Sequence, residues 1–210
     1  MNKKKICFIF IICLGVFFQK AFAEKINFHS DSMSGIGNSK NAITELSGNA
    51  VVTTEDIKIE SDLIKLFGKD FTNITASGNV KGESKKNKFT FSSDMLKHNR
   101  TKKVSEFFGN VNFFDSANET EITCDYALYD EKTEILIIKY NVFIKQKDTT
   151  CKAIFANYNR KTELVDLLGK PQVTNKDDTF NADRITINLK TEDIKMQGKV
   201  KGNLIEREEK

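Results

Sequence analysis

The 210-residue sequence contains no tryptophan, one proline (Pro171) and two histidines, His29 and His98. Neither histidine, in FHSDSM or KHNR, sits in a recognisable nucleophile–carboxylate arrangement and both lie near turns, so acid–base or covalent catalysis has no visible seat and no enzyme is expected. Glycine-rich phosphate loops are missing too, since GIGNSK follows no strand–helix unit of the required kind. Cysteine is sparse. Two of the four, Cys7 and Cys13, lie in the first 23 residues, and the remaining Cys124 and Cys151 are too few for a disulfide scaffold. A packed core must therefore supply most of the stability.

Long apolar runs are also lacking. The longest, Ile6 to Phe18, follows Lys3, Lys4 and Lys5 and precedes Ala21-Phe22-Ala23, the pattern of a cleavable export signal spanning residues 1–23. Its helical length of about 20 Å falls short of a hydrocarbon core of about 30 Å. A retained membrane anchor is the rival reading. Removing this segment also removes a charge imbalance. The whole chain has 33 Lys and Arg against 29 Asp and Glu, and four of the lysines lie in the segment, which leaves 29 against 29. A neutral chain gives no support to nucleic-acid binding. Export places it in an oxidising compartment outside the inner membrane.

What is present is a repeat. Gly48, Gly78, Gly109, Tyr140, Gly169 and Gly198 follow one another at 30, 31, 31, 29 and 29 residues. Each is followed within four residues by a valine, in segments such as ELSGNAVVT, ITASGNVKGE and FFGNVNF. A second marker keeps nearly the same phase: Ser30-Asp31, Ser61-Asp62, Ser93-Asp94, Cys124-Asp125 and Ala182-Asp183, with Cys151-Lys152 in the fifth place and a shortened step of 27 before it. Between the markers, IKIESDLIKL, KFTFSSDMLK and TEITCDYALY alternate apolar and polar residues, the period of a half-buried strand. Polar turn clusters such as HNRTKK and DEKTE separate them.

Each unit is thus two strands and two turns, and no stretch after residue 23 has a helical period. A lone hairpin cannot bury its apolar face, so the units must stack. The expected fold is all-β: a repetitive, twisted, open β-jellyroll of stacked two-strand units over 24–204, followed by a charged tail at 205–210. Glycine at the signature suits a bulge where a side chain would obstruct the bend. The aspartates offer too few oxygen donors per loop for a calcium repeat, so they are expected to form a solvated or turn-capping column, and no metal or other cofactor is expected.

An export signal followed by such units resembles the OstA-like family, which contains LptA, LptC and the amino-terminal part of LptD. SGNAVV, ASGNVKGE and NADRITINL carry the resemblance most clearly. It implies a periplasmic, non-enzymatic protein that binds lipopolysaccharide and carries it from the inner to the outer membrane. Its partners would be LptC-like and LptD-like jellyrolls joined through edge strands, and copies of the chain could also join head to tail. On this reading Ile57, Ile59, Phe89, Phe91, Ile122, Phe143, Phe155 and Phe180 line an interior groove for acyl chains. A membrane-anchored LptC-like component and a packed, non-lipid-binding scaffold are the alternatives. Cys124 and Cys151, in equivalent places of adjacent units, are candidates for a disulfide.

Overall fold

The computed structural model describes residues 25–36 and 42–205. The export segment 1–23 and residues 206–210 of the charged tail lie outside them. The strands are β1 (Asn27–His29), β2 (Ser32–Ile36), β3 (Ile43–Thr53), β4 (Lys58–Phe67), β5 (Asn73–Ser84), β6 (Phe89–Asn99), β7 (Val104–Asp115) and β8 (Thr120–Asp130). They continue as β9 (Ile135–Gln146), β10 (Thr149–Asn159), β11 (Leu164–Leu168), β12 (Gln172–Asn175), β13 (Asp178–Asn181), β14 (Arg184–Asn188), β15 (Ile194–Gln197) and β16 (Lys201–Asn203). All sixteen belong to one antiparallel sheet in which β3 to β11 pair in sequence order. Toward each end the long strands break in two. β1 and β2 both pair with β3, and β10 pairs with both β11 and β12. The chain is the expected open β-jellyroll.

The repeated signature is the line along which the sheet bends. In β3, β5 and β7 the glycine and following asparagine both adopt left-handed backbone: φ 71° and 46° at Gly48-Asn49, 76° and 49° at Gly78-Asn79, 68° and 45° at Gly109-Asn110. The strand turns there, and the ladder register shifts at the same place. Glycine is required for a second reason. A Cβ on Gly78 would sit 2.5 Å from Asp62 Oδ2, and one on Gly109 would sit 2.2 Å from Asp94 Oδ2.

The aspartate marker caps this corner. Asp31, Asp62, Asp94 and Asp125 each accept a hydrogen bond from the amide of the neighbouring corner asparagine: Asn49 at 2.9 Å, Asn79 at 2.9 Å, Asn110 at 3.0 Å and Asn141 at 2.7 Å. The small residue before each aspartate has its own task. Ser30, Ser61 and Ser93 donate their hydroxyls, and Cys124 its thiol, to the carbonyl two residues on, bridging the kink.

This geometry corrects the fifth marker. Gly169 faces Ile154, whose Cβ would lie 2.7 Å from an added Cβ, and the bulge in β10 falls between Ala153 and Phe155. Ala153-Ile154, not Cys151-Lys152, therefore occupies the small-Asp place. The steps become 31, 32, 31, 29 and 29, and the irregular 27 disappears. In this region the corner is chemically altered. Ile154 replaces the aspartate, and Tyr140 replaces the glycine while keeping a positive φ of 62°.

The bend brings the two halves of every long strand face to face. Alternation then sends one set of residues inward, including Leu46, Val52, Ile64, Ile74, Leu96, Phe107, Ile138, Tyr158 and Ile185, all buried in one continuous core. The turns fall on two rims. One rim holds 54–57, 85–88, 116–119, 147–148 and 176–177, and the other holds 68–72, 100–103, 131–134, 160–163 and 189–193.

Candidate functional site

The apolar interior between the half-sheets is the candidate site. Its middle is aromatic. Phe89 stacks on Phe113 with ring centroids 4.6 Å apart and meets Tyr129 edge-on at 5.1 Å, while Phe91 meets Phe107 edge-on at 5.0 Å. Phe89, Phe91 and Phe113 come from one half-sheet, and Phe107 and Tyr129 from the other, so the Phe89–Tyr129 and Phe91–Phe107 contacts span the fold. Gly82 makes room for them: a Cβ there would lie 2.3 Å from the Phe91 ring.

Of the eight residues expected to line a groove, the structure brings six to this face. Ile57, Ile59, Phe89, Phe91 and Ile122 belong to the buried core, and Phe180 packs against it half-buried. Phe143 and Phe155 are on the other face. Phe143 lies between the inward Val142 and Ile144, and Phe155 precedes the inward Ala156. Alternation alone explains this, because adjacent strand residues point to opposite faces. Phe107, Phe113 and Tyr129 were not singled out from the sequence. The doublets at 107–108 and 113–114 each offer two phenylalanines, and only the position of the corner tells which one turns inward.

Cys124 and Cys151 are free and buried. They stand on β8 and β10 with β9 between them, and Cys151 pairs with Ile144 of β9. Two inter-strand spacings of about 4.8 Å exceed the span of about 7 Å that a disulfide tolerates between Cα atoms. The candidate bond is therefore ruled out by position. Burial pushes both thiols up to about 12, so they stay protonated.

The rims carry the polar chemistry. Arg160, at the end of β10 and 4% exposed, reaches from one rim to the other. Its Nε donates to Asp115 Oδ2 at 2.7 Å and its Nη2 to Asp115 Oδ1 at 2.8 Å and to the Asn87 carbonyl at 2.7 Å. Nη1 donates to the Tyr129 hydroxyl at 2.9 Å, and the guanidinium lies over the rings of Phe89, Phe113 and Tyr129 at 5.4, 5.9 and 5.4 Å. Burial works against this charge. The bonds and charge of Asp115, together with Tyr129, more than offset it and hold the guanidinium above its ordinary range. Asn118 closes the cluster by donating to the Arg160 carbonyl at 2.8 Å and the Tyr158 hydroxyl at 3.1 Å. Burial raises the Tyr158 phenol to about 12. Among the described residues no group of three or more His, Cys, Asp or Glu is placed to hold a metal ion, and no helix is long and apolar enough to cross a membrane.

Three comparisons bear on what such a chain is. The family model for the LptA/(LptD N-terminal domain) LPS transport protein matches residues 72–193, more than half of the chain. No curated protein matches. Among solved structures, one match is LptH, described as the LptA homologous periplasmic component of the conserved lipopolysaccharide transport device from Pseudomonas aeruginosa. It is 11% identical, and the alignment covers 87% of this chain and 96% of that one with a TM-score of 0.26, a likeness too loose to carry an argument.

Proposed function

The chain belongs to the LptA/LptD N-terminal domain family of lipopolysaccharide transport proteins, and from that premise we propose that it is a periplasmic carrier holding lipopolysaccharide by its acyl chains. The observation that supports this most is the continuous apolar interior, which runs through all the repeats instead of forming a closed ball. Each methylene buried there would contribute about 0.8 kcal/mol over water. Export by residues 1–23 places the carrier between the membranes.

The bridging role is part of the same proposal. β1 and β2 at one end, and β15 and β16 at the other, pair on one side only among the described residues. Unpaired edges accept further strands, so another copy, an LptC-like donor or an LptD-like acceptor would join there. The scaffold reading has one observation in its favour, the contact of interior rings from the two half-sheets. Equilibrium binding of labelled lipopolysaccharide to the delipidated, signal-free chain separates the two. Saturable binding with one-to-one stoichiometry is expected, and absence of binding to a folded chain would leave the scaffold.

A further inference from the structure

The two rims are fastened across the interior by side-chain bonds. Lys103 of one rim bonds Asp56 of the other, 47 residues away. Lys86 Nζ bonds Glu131 Oε1 at 3.3 Å over 45 residues, and Arg160 bonds Asp115 over the same 45. Gln146 to Glu163, at 3.0 Å, crosses the same gap. Along each rim, backbone bonds tie successive turns: Ser116 to the Lys88 carbonyl, Glu131 to the Lys103 carbonyl and Arg160 to the Glu134 carbonyl. The strength of the fastening is uneven. Lys86 is well exposed, whereas the Arg160–Asp115 pair, 3% and 0% exposed in its side chains, is sealed directly above the aromatic centre.

We infer that this seam is a lateral gate held by the Arg160–Asp115 clasp. The inference rests on the carrier reading for its purpose. Beneath the clasp the rings of the two half-sheets touch, so an acyl chain enters the middle of the interior only when the rims part. Parting the rims separates Arg160 from Asp115 and Asn87, while the Asp–Gly–Asn corners on the opposite side of the fold act as the hinge line. The clasp keeps the lipid-free interior away from water and from other apolar surfaces. It opens when a lipid offers the half-sheets more apolar contact than they have with each other. A buried ion pair suits a gate, because removing one partner leaves an uncompensated charge that favours the open, hydrated state.

The test uses the folded, signal-free chain and an uncharged apolar dye, N-phenyl-1-naphthylamine, whose fluorescence rises on entering an apolar site. Two opposite perturbations are compared. Asp115→Asn weakens the clasp. A water-soluble carbodiimide locks the seam in the unmutated chain by activating the Glu131 carboxylate. The Lys86 amine then displaces the urea by-product, which carries the elements of water, and leaves an amide across the seam. Peptide mapping separates these molecules from those linked between Lys86 and Asp56 along one rim. The gate requires uptake about tenfold or more faster in Asp115→Asn, and about tenfold or more slower in the locked chain. Equal uptake by locked and unlocked chains overturns it, and this arm holds even if Asp115→Asn fails to fold. The same samples are offered lipopolysaccharide. If the dye is gated but lipopolysaccharide never binds, the carrier reading fails and the gate stands.

Discussion

Replacing Gly109 with alanine tests the corner that organises every repeat. The residue has a φ of 68°, where an L-side chain costs about 1–2 kcal/mol, partly offset by about 0.4–1 kcal/mol from the stiffer unfolded chain. The added Cβ would also come within 2.2 Å of Asp94 Oδ2, so the carboxylate must move and release Asn110. Displacing it adds roughly another 1–2 kcal/mol, giving about 2–3 kcal/mol in all. Asp94→Ala alone loses one exposed hydrogen bond, about 1 kcal/mol. In the double variant the clash is gone and only the backbone strain remains, so the two effects should fall short of additivity by about 1–2 kcal/mol. Urea unfolding followed by far-ultraviolet circular dichroism measures all three, because the chain has no tryptophan to report by fluorescence. Strict additivity would refute the direct aspartate–glycine contact, and a neutral Gly109→Ala would refute the corner itself.

Two further outcomes follow from burial. Cys124 and Cys151, both raised from 9.0 to about 12, should react with iodoacetamide at pH 8 about a thousandfold more slowly than unfolded thiols. Non-reducing mass analysis should find both free, and a bonded pair would contradict the strand order. Stability should also fall in alkali. The Tyr158 phenol is raised from 10.0 to about 12, and the unfolded chain ionises first, so the stability is full below pH 10 and is lost as pH rises toward 12. The two thiols act in the same direction from pH 9. The fall from Tyr158 alone is about 2 kcal/mol, read by urea unfolding at pH 8, 10 and 11.5, and a flat profile would show that the phenol is not buried.

Much of the fold is legible in the sequence because its corners recur. A positive φ pair selects Gly-Asn, a capping carboxylate selects aspartate, and a donor across the kink selects serine or cysteine. Together these choices print a marker every thirty residues. Where the corner is altered, the marker is not legible in the sequence. Ile154 keeps the bulge without the aspartate, so the nearest small residue with a charged neighbour, Cys151-Lys152, took its place and suggested a disulfide that strand order forbids. The interior was half legible. Ile59 in β4 and Phe89 and Phe91 in β6 follow from the alternation of their own strands. The outward direction of Phe143 and Phe155 is not legible, because phenylalanine also occupies the outer face, where Phe108 packs edge-on to Tyr126 at 5.2 Å. The Arg160–Asp115 clasp had no local signal. Its partners lie 45 residues apart and meet only because the sheet folds along its corner line.

The claim that the interior takes the lipid is tested most directly by one pair of neighbours. Phe113 points inward and is 2% exposed, whereas Phe114 points outward and is 39% exposed. A photoreactive benzoylphenylalanine at each position, irradiated in cells that make lipopolysaccharide, probes both faces of one strand from adjacent residues. Crosslinking to lipopolysaccharide from position 113 and not from 114 is the predicted result. Lipid captured from 114 alone, or from neither position in a folded chain, would contradict it.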